Sequence, residues 1–232
     1  MSNDLSGCKS VVKIKTAIPI KAVASTRNSR PYRLDKRQTT IDEKRGKIIN
    51  AARALILSER ALAGFSVDAV AKQAGVARAT VYNQFGNKLG LLEVLFDDLA
   101  GRGGMFELKE VFKKENPLDA LNEFVAAFGR FWTTDRIIIR RLHAMITLDA
   151  EMEKADAARQ QRRRKGLRVI VGRLNEKYKL AGDFSFDEII EIAHTLTGFE
   201  TFDALAGTTR TPEDVVPTVQ KLILEVLGLD DL

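Results

Sequence analysis

Apolar residues from Thr40 onward recur at the three- and four-residue spacing of amphipathic helices, and the alternation typical of strands is not found in the sequence. The first helix is predicted to begin at the capping-box spacing Thr40-x-x-Glu43 and to end near residues 58–61. Its apolar face consists of Ile48, Ile49, Ala52, Leu55 and Ile56. The pattern as a whole predicts an all-α fold.

Three more helices are predicted before residue 100. Ser66 is suited to cap the second, which ends at Gly75. A third, very short helix covers residues 77–84 and is broken by Gly86. Asn87 then caps a fourth helix, whose apolar residues are Leu91, Leu92, Val94, Leu95 and Leu99. The second and third helices are thus separated only by a tight glycine turn.

The glycine-rich run from Gly101 to Gly104 follows a predicted helix. A dinucleotide-binding turn would follow a strand instead, so the run is interpreted as a flexible joint and a domain boundary. Beyond it the periodicity predicts helices over 117–133, 135–148, 151–180, 186–207 and a last one after Thr211. The third of these is expected to be interrupted at Gly166 and Gly172. Pro217 implies that the last helix either begins there or is kinked there.

Composition and charge narrow the class of protein. The chain has 232 residues, of which 45% are hydrophobic and 29% are charged, as in ordinary globular proteins. Its apolar runs are too short to span a bilayer, four lysines interrupt any signal peptide, and the single cysteine, Cys8, excludes an intrachain disulfide. These features predict a cytoplasmic protein with no membrane partner.

The net charge of +6 is concentrated at the N-terminus. Residues 1–40 contain nine Lys and Arg against two Asp, a net charge of +7, so the remaining residues sum to −1. Residues 1–39 are therefore predicted to be a basic, disordered extension. It is either a solvated tail or an arm that attracts DNA phosphates, and both alternatives stay open.

A helix-turn-helix explains the polar third helix. The helix before it, residues 66–74, is mostly apolar and suited to packing, whereas the third helix carries side chains that hydrogen-bond to base edges in a major groove. Arg78 suits guanine, and Asn83 or Gln84 suits adenine. Val81 and Phe85 are expected to face inward and hold the helix in place.

Residues 41–100 resemble the DNA-binding domain of the tetracycline-repressor (TetR) family of bacterial regulators. The resemblance is carried by Ser66-Val67-x-x-Val70-Ala71-x-x-Ala74-Gly75-Val76, Thr80-Val81-Tyr82-x-x-Phe85-x-Asn87-Lys88 and Leu91-Leu92. It implies phosphate contacts by Ser66, Thr80, Tyr82 and Lys88. It implies base contacts by Arg78, Asn83 and Gln84. The chain departs from the family at Ala77, where a capping Ser or Thr is common.

The resemblance also implies the domain organisation. Residues 40–100 would form the three-helix DNA-binding domain of helix-turn-helix type, and residues 105–232 a helical ligand-sensing and dimerisation domain. The last two helices would pair with their copies to form a homodimer that binds a double-stranded, palindromic operator. The apolar stripes over 189–202 and 215–227 are wide enough for such pairing. The alternative is that they pack only within their own subunit.

A small apolar or amphipathic effector is expected among the central helices of residues 105–232. The candidate ligand-binding residues are Phe128, Trp132, Arg141, His143, Met145, His194 and Phe199. Such an aromatic stripe is equally compatible with an ordinary core. The two histidines and distant Cys8 predict no metal site, and no cofactor is expected. The arginine-rich segment 159–168 is interpreted as a solvated helix surface.

These features favour a ligand-responsive, dimeric transcriptional regulator, a repressor released from its operator by a small molecule. The alternative is a non-specific, nucleoid-type DNA binder that uses the basic extension. An enzyme is not expected, because the sequence shows no nucleophile with its base, no paired carboxylates and no spaced metal ligands.

Overall fold

A computed structural model describes residues 30–58, 64–180 and 183–229, and within these ranges the chain is helical, without strands. By contacts it divides into the units Met1–Thr40 and Ile41–Leu232. The helices are α1 Arg30–Leu57, α2 Val67–Ala74, α3 Arg78–Phe85, α4 Lys88–Arg102, α5 Leu108–Val111, α6 Pro117–Thr134, α7 Arg136–Leu148, α8 Ala150–Tyr178, α9 Phe186–Leu196, α10 Phe199–Ala206 and α11 Val216–Leu227. The all-α prediction is confirmed.

The first helix begins earlier than predicted. It already contains Thr40 and starts at Arg30, so the predicted capping-box start is wrong and residues 30–39 are helical. The segment allows this because Pro31 lies in the first turn, where proline is tolerated, and several good helix formers follow it. Residues 1–29, with Cys8 and most of the basic extension, lie outside the described residues.

The helix-turn-helix forms from the predicted local signals. The Ser66 hydroxyl accepts a hydrogen bond from the Ala69 amide at 3.2 Å, and Gly75 ends α2 with a left-handed φ of +66°. Asn87 caps α4 by accepting from the Gly90 amide at 2.8 Å. The expected absence of a side-chain cap at Ala77 is also seen.

The glycine-rich run after α4 is a packed turn. The amide of Gly103 donates to the Leu99 carbonyl at 2.9 Å, and Gly104 takes a left-handed φ of +76°. A Cβ on Gly103 would lie 2.6 Å from Cδ2 and 3.0 Å from Cα of Phe131. Because the backbone of α6 cannot easily retreat, glycine lets the end of α4 approach α6 closely. A domain boundary at this run stays a prediction.

Two predictions about the long helices are wrong. Helix α8 continues through Gly166 and Gly172 without interruption. Gly166 is needed for packing, because a Cβ there would lie 3.1 Å from the Phe112 ring and 3.2 Å from the Phe124 ring. The helix expected over 186–207 breaks into α9 and α10 at Thr197 and Gly198. The Thr197 carbonyl at this break accepts hydrogen bonds from two side chains of other helices.

The last helix begins at Val216, with Pro217 in its first turn, which resolves the two predicted alternatives. A 3₁₀ turn at Glu213–Val215 precedes it. The carboxylate of Asp214 there accepts from the amide and hydroxyl of Thr211, both at 2.7 Å. Apolar residues from Ile48 to Leu229 form one buried cluster. Among the described helices, none has the length and apolar content to cross a membrane.

Candidate nucleic-acid interface and effector cavity

Helix α3 is anchored on one face and open on the other. Val81 and Phe85 are buried, and the Arg45 guanidinium lies 5.0 Å from the centre of the Phe85 ring. Tyr82 is 38% exposed, unusually open for a tyrosine, and Asn83 is exposed beside it. The structure therefore presents an exposed polar strip on α3, formed by Arg78, Tyr82 and Asn83, as predicted from the sequence pattern.

Arg78 and Tyr82 are held together on this strip. The Arg78 Nη2 donates to the Tyr82 hydroxyl at 3.0 Å, and the guanidinium lies 5.2 Å from the centre of the tyrosine ring. The Nε of Arg78 also pairs with Asp68 of α2 at 2.9 Å. The tyrosine hydrogen bond and the Asp68 carboxylate raise the Arg78 pKa. Both side chains are thus oriented before any ligand arrives.

The other predicted contact residues differ in accessibility. Ser66 and Thr80 lie beside the strip, where Ser66 caps α2 and Thr80 is half-buried. Gln84 is half-buried, and its Oε1 is buried without a hydrogen-bond partner among the described residues. The Gln84 amide is therefore less open to a base edge than that of Asn83. These roles on DNA stay predictions.

Lys88 lies at the N-terminus of α4, where its charge and the helix dipole both favour an anion. Its Nζ is 3.7 Å from the Asp149 carboxylate, and both side chains are partly exposed. Asp149 also caps α8, because its Oδ1 accepts from the amides of Glu151 and Met152. The ion pair thus connects the first turn of α4 to the start of α8.

A cavity of about 370 Å³ lies among α4, α6, α7 and α8, a size typical of small-molecule sites. Its aromatic walls are Phe96, Phe112, Phe124, Phe128, Phe131 and Trp132. Its charged lining residues are Asp97, Asp156, Arg159, Arg162 and Arg163. The mixture of a mostly apolar lining with a few polar groups is that expected of a ligand pocket.

Three of the predicted ligand-binding residues line this cavity and four do not. Phe128, Trp132 and His143 line it. The four that lie outside its lining are Arg141, Met145, His194 and Phe199. Arg141 instead donates from Nη1 to the carbonyls of Ile56, at 2.6 Å, and Ser58, at 2.8 Å, and so holds the end of α1.

The other three predicted residues that do not line the cavity are Met145, His194 and Phe199, and the last two contact residues that do line it. Met145 is a core residue. The Phe199 ring packs 5.6 Å from the Trp132 ring and 4.9 Å from the His143 ring, measured between centres. The imidazole of His194 contacts Arg163 and Gln160, which themselves line the cavity.

The sequence interpretation missed the arginines of the cavity. Arg159, Arg162 and Arg163 line it, so the view of segment 159–168 as a wholly solvated surface is wrong. It holds for Arg164 and Arg168, which pair with Glu191 and Asp187 at the surface. The available signal was helical phase, because Arg163 lies four residues before buried Leu167 and seven before buried Ile170.

Burial controls the charges of the Arg163–His194 pair. The Arg163 Nη2 lies 2.9 Å from the His194 Nε2 and 2.8 Å from the Gln160 Oε1. Burial lowers the pKa of Arg163 to about 10, so the guanidinium is charged at neutral pH. Burial, then the charge of Arg163, lowers the pKa of His194 to about 4. His194 is therefore neutral, and its Nε2 accepts the hydrogen bond from Arg163.

This His194 environment predicts a stability loss in mild acid. Because the folded pKa is about 4 and the unfolded value about 6.5, the unfolded state takes up a proton first as the pH falls through this window. We expect the free energy of unfolding to fall by about 1–2 kcal/mol between pH 7.5 and pH 5 through this residue. His194→Gln, which keeps an acceptor for Arg163, should flatten the profile in urea unfolding. Parallel profiles for the two proteins would contradict the prediction.

Comparison with known proteins gives a family match over the residues that form the helix-turn-helix. Residues 48–95 match the family of bacterial regulatory proteins, tetR family. No curated protein matches the chain significantly. Among solved structures, NalD, the secondary repressor of the MexAB-OprM multidrug efflux pump in Pseudomonas aeruginosa, is 19% identical with a TM-score of 0.65, over 81% of this chain and 98% of that one.

Two further structures have the same fold. FadR from Bacillus subtilis, solved in complex with stearoyl-CoA, is 20% identical with a TM-score of 0.60, over 78% of this chain and 97% of that one. PfmR from Thermus thermophilus, a TetR family transcriptional regulator, is 22% identical with a TM-score of 0.58, over 78% of this chain and 98% of that one. Residues 48–95 therefore carry a DNA-binding domain of the tetR family of bacterial regulatory proteins, which makes the protein a DNA-binding transcriptional regulator. The rest of the chain shares the fold of the three structures.

Proposed function

We propose that the chain is a homodimeric repressor that binds a palindromic operator in the cytoplasm and releases it when a small molecule fills the cavity. Residues 40–100 would bind DNA, and residues 105–232 would sense the ligand and dimerise. One observation carries the proposal: α4 begins beside the exposed strip of α3 and also forms a wall of the cavity through Phe96, Asp97 and Ala100. One helix thus adjoins both the proposed DNA-binding surface and the proposed ligand cavity, as expected of a regulator in which the two sites are coupled.

Dimerisation is supported by the outer faces of α9 and α11. Ile192 on α9 and Leu222 on α11 are only half-buried and are not among the residues that pack against the core. In both helices the opposite face is already buried in the core. Two copies of this surface would bury the remaining apolar area about a two-fold axis and present two α3 helices to two half-sites.

The link between cavity and DNA would run through α4. The guanidinium of Arg159 on α8 lies 4.5 Å from the centre of the Phe96 ring on α4. A ligand that repacks these side chains would shift α4, and such a shift would move the N-terminus of α4 beside α3. A ligand releases DNA only if it binds the non-DNA form more tightly, so ligand and operator would weaken each other reciprocally.

The related structures agree with this reading in general terms. NalD is a repressor, and the FadR structure holds stearoyl-CoA. We extend to this chain only the two general features of repression and small-molecule binding, and their coupling is our proposal. The cavity of about 370 Å³ provides the required space.

The proposal is tested with the full-length protein and the intergenic DNA beside its own gene. We expect a mobility shift that persists in excess unrelated DNA, a protected palindrome in footprinting and a dimer in sedimentation. Loss of the shift in the presence of unrelated DNA, with a steep salt dependence, would instead favour the non-specific binder that uses the basic extension.

A further inference from the structure

The polar side of the cavity contains a half-buried cation, Arg163, that the protein leaves incompletely paired. The Nη1 of Arg163 donates to the Thr197 carbonyl at 3.1 Å, and its Nη2 reaches Gln160 and His194. The Nε of Arg163 is buried and has no hydrogen-bond partner among the described residues. Within residues 30–58, 64–180 and 183–229, no carboxylate lies within ion-pair distance of this guanidinium.

The groups that do contact Arg163 are neutral. Gln160 and the Thr197 carbonyl carry no charge, and the depressed pKa of His194 keeps its imidazole neutral. The acidic groups near Arg163 are Asp156 and Glu200. Asp156 accepts instead from the Gln160 amide at 2.7 Å, and Glu200 lies 2.6 Å from the Nδ1 of His143. Neutral dipoles therefore make the direct contacts with the positive charge, and the two carboxylates stabilise it only from beyond ion-pair distance.

The cavity as a whole carries an excess of positive charge. Arg159, Arg162 and Arg163 line it against only Asp97 and Asp156, so three cations face two anions. The Arg163 guanidinium also lies 5.6 Å from the centre of the Phe128 ring, which belongs to the aromatic wall. A cation thus lies at the edge of an apolar cavity. A buried charge without a counter-ion is costly, and a ligand anion would relieve that cost.

We propose that the effector is an amphipathic anion, with an apolar body against the aromatic wall at Phe128 and Trp132 and a carboxylate-type head that pairs with Arg163. The proposal rests on the proposed ligand-responsive function and adds the chemical class of the effector. The Nε–H of Arg163 has no hydrogen-bond partner among the described residues, so a turn of the guanidinium toward the head would give this donor a partner. Charge-assisted hydrogen bonds from a guanidinium to an anion are stronger than the neutral contacts that Arg163 makes in the free protein.

Trp132 provides a direct measurement, because it is the only tryptophan in the chain and it lines the cavity. The probes are decanoate, 1-decanol and decylamine, which share one apolar chain and differ in the charge of the head. Their binding is followed by tryptophan fluorescence. We expect decanoate to bind at least about tenfold more tightly than decanol, as one charge-assisted pair provides, and decylamine to bind most weakly.

The variants assign the preference to one side chain. Arg163→Met should bring decanoate down to the affinity of decanol, with decanol binding little changed. Arg164→Gln is the matched control, because this neighbour pairs with Glu191 at the surface and lies outside the cavity lining, and it should keep the wild-type preference. Arg163→Lys retains a cation if the methionine variant fails to fold, and it should keep a reduced preference for decanoate.

Several outcomes would overturn the proposal. They are equal binding of decanoate and decanol by the wild type, preference for decylamine, an unchanged preference in Arg163→Met, and binding of none of the three probes. The proposed repressor function is judged separately, by operator binding of the ligand-free protein. A protein that binds its operator but shows one of these outcomes remains a repressor with an effector of another class.

Discussion

Replacing Arg53 by methionine is expected to lower the free energy of unfolding by about 3–5 kcal/mol. Arg53 on α1 donates to Asp98 of α4 at 3.1 Å and to Asp135, between α6 and α7, at 2.7 Å. The side chains of Arg53 and Asp135 are only 12% and 14% exposed. Removing the guanidinium leaves the Asp135 carboxylate buried, with one oxygen that already has no hydrogen-bond partner among the described residues.

Urea unfolding followed by circular dichroism measures this effect. The matched control is Arg130→Met, which breaks an exposed pair with Glu123 at 2.7 Å. Because solvent screens such a pair, the control should change the free energy of unfolding by less than about 1 kcal/mol. Arg102 comes within 3.5 Å of Asp135 and offers partial compensation. Equal effects of the two substitutions would show that Arg53 is not a structural tie.

The second large effect is expected on DNA. Tyr82→Ala and Lys88→Ala should each weaken operator binding by about ten- to a hundredfold, the usual cost of losing one contact at such an interface. Tyr82 is 38% exposed and holds Arg78 in place, so its loss also frees the arginine. Lys88 lies at the N-terminus of α4, where both the lysine charge and the helix dipole favour a bound anion.

Mobility shifts and thermal unfolding are measured on the same samples. Lys113→Ala is the control for charge, because Lys113 is exposed and, among the described residues, pairs only with neighbouring Glu110 at 2.8 Å. The operator affinity of this variant should stay within about threefold of the wild type. Lys88→Ala should weaken binding to all DNA sequences alike and reduce the salt dependence of binding. If both variants at the strip bind as the wild type does while folded, the interface lies elsewhere.

The parts of the structure predictable from sequence are those governed by neighbouring residues. Ser66, Gly75 and Asn87 act within one helical turn, so local chemistry alone placed both ends of α2 and the start of α4 correctly, and both ends of α3 to within one residue. The start of α1 was misplaced, because a capping-box spacing at Thr40 does not stop a helix that can continue upstream. The break at Thr197 was missed, because donors from distant helices hold its carbonyl.

The cavity shows where sequence reasoning loses information. Arg163 and Arg164 are adjacent in the sequence, yet the first lines the cavity and the second pairs at the surface. Helical phase separates the two, but composition does not. Arg141 was an attractive anchor by type, and it instead holds the end of α1. Which helices enclose empty space depends on packing between residues far apart in the chain.

The ion pairs of the exposed strip have a consequence for selectivity. Asp68 holds Arg78 at 2.9 Å, and Asp149 holds Lys88 at 3.7 Å. In the proposed complex Asp149 would compete with a backbone phosphate for Lys88, and Asp68 with a base edge for Arg78. The protein would thus carry internal competitors for both kinds of contact, and arbitrary DNA would have to displace them for phosphate contacts alone. An operator that adds base contacts gains more from the same exchange, so the two acidic residues would favour the correct sequence without touching it.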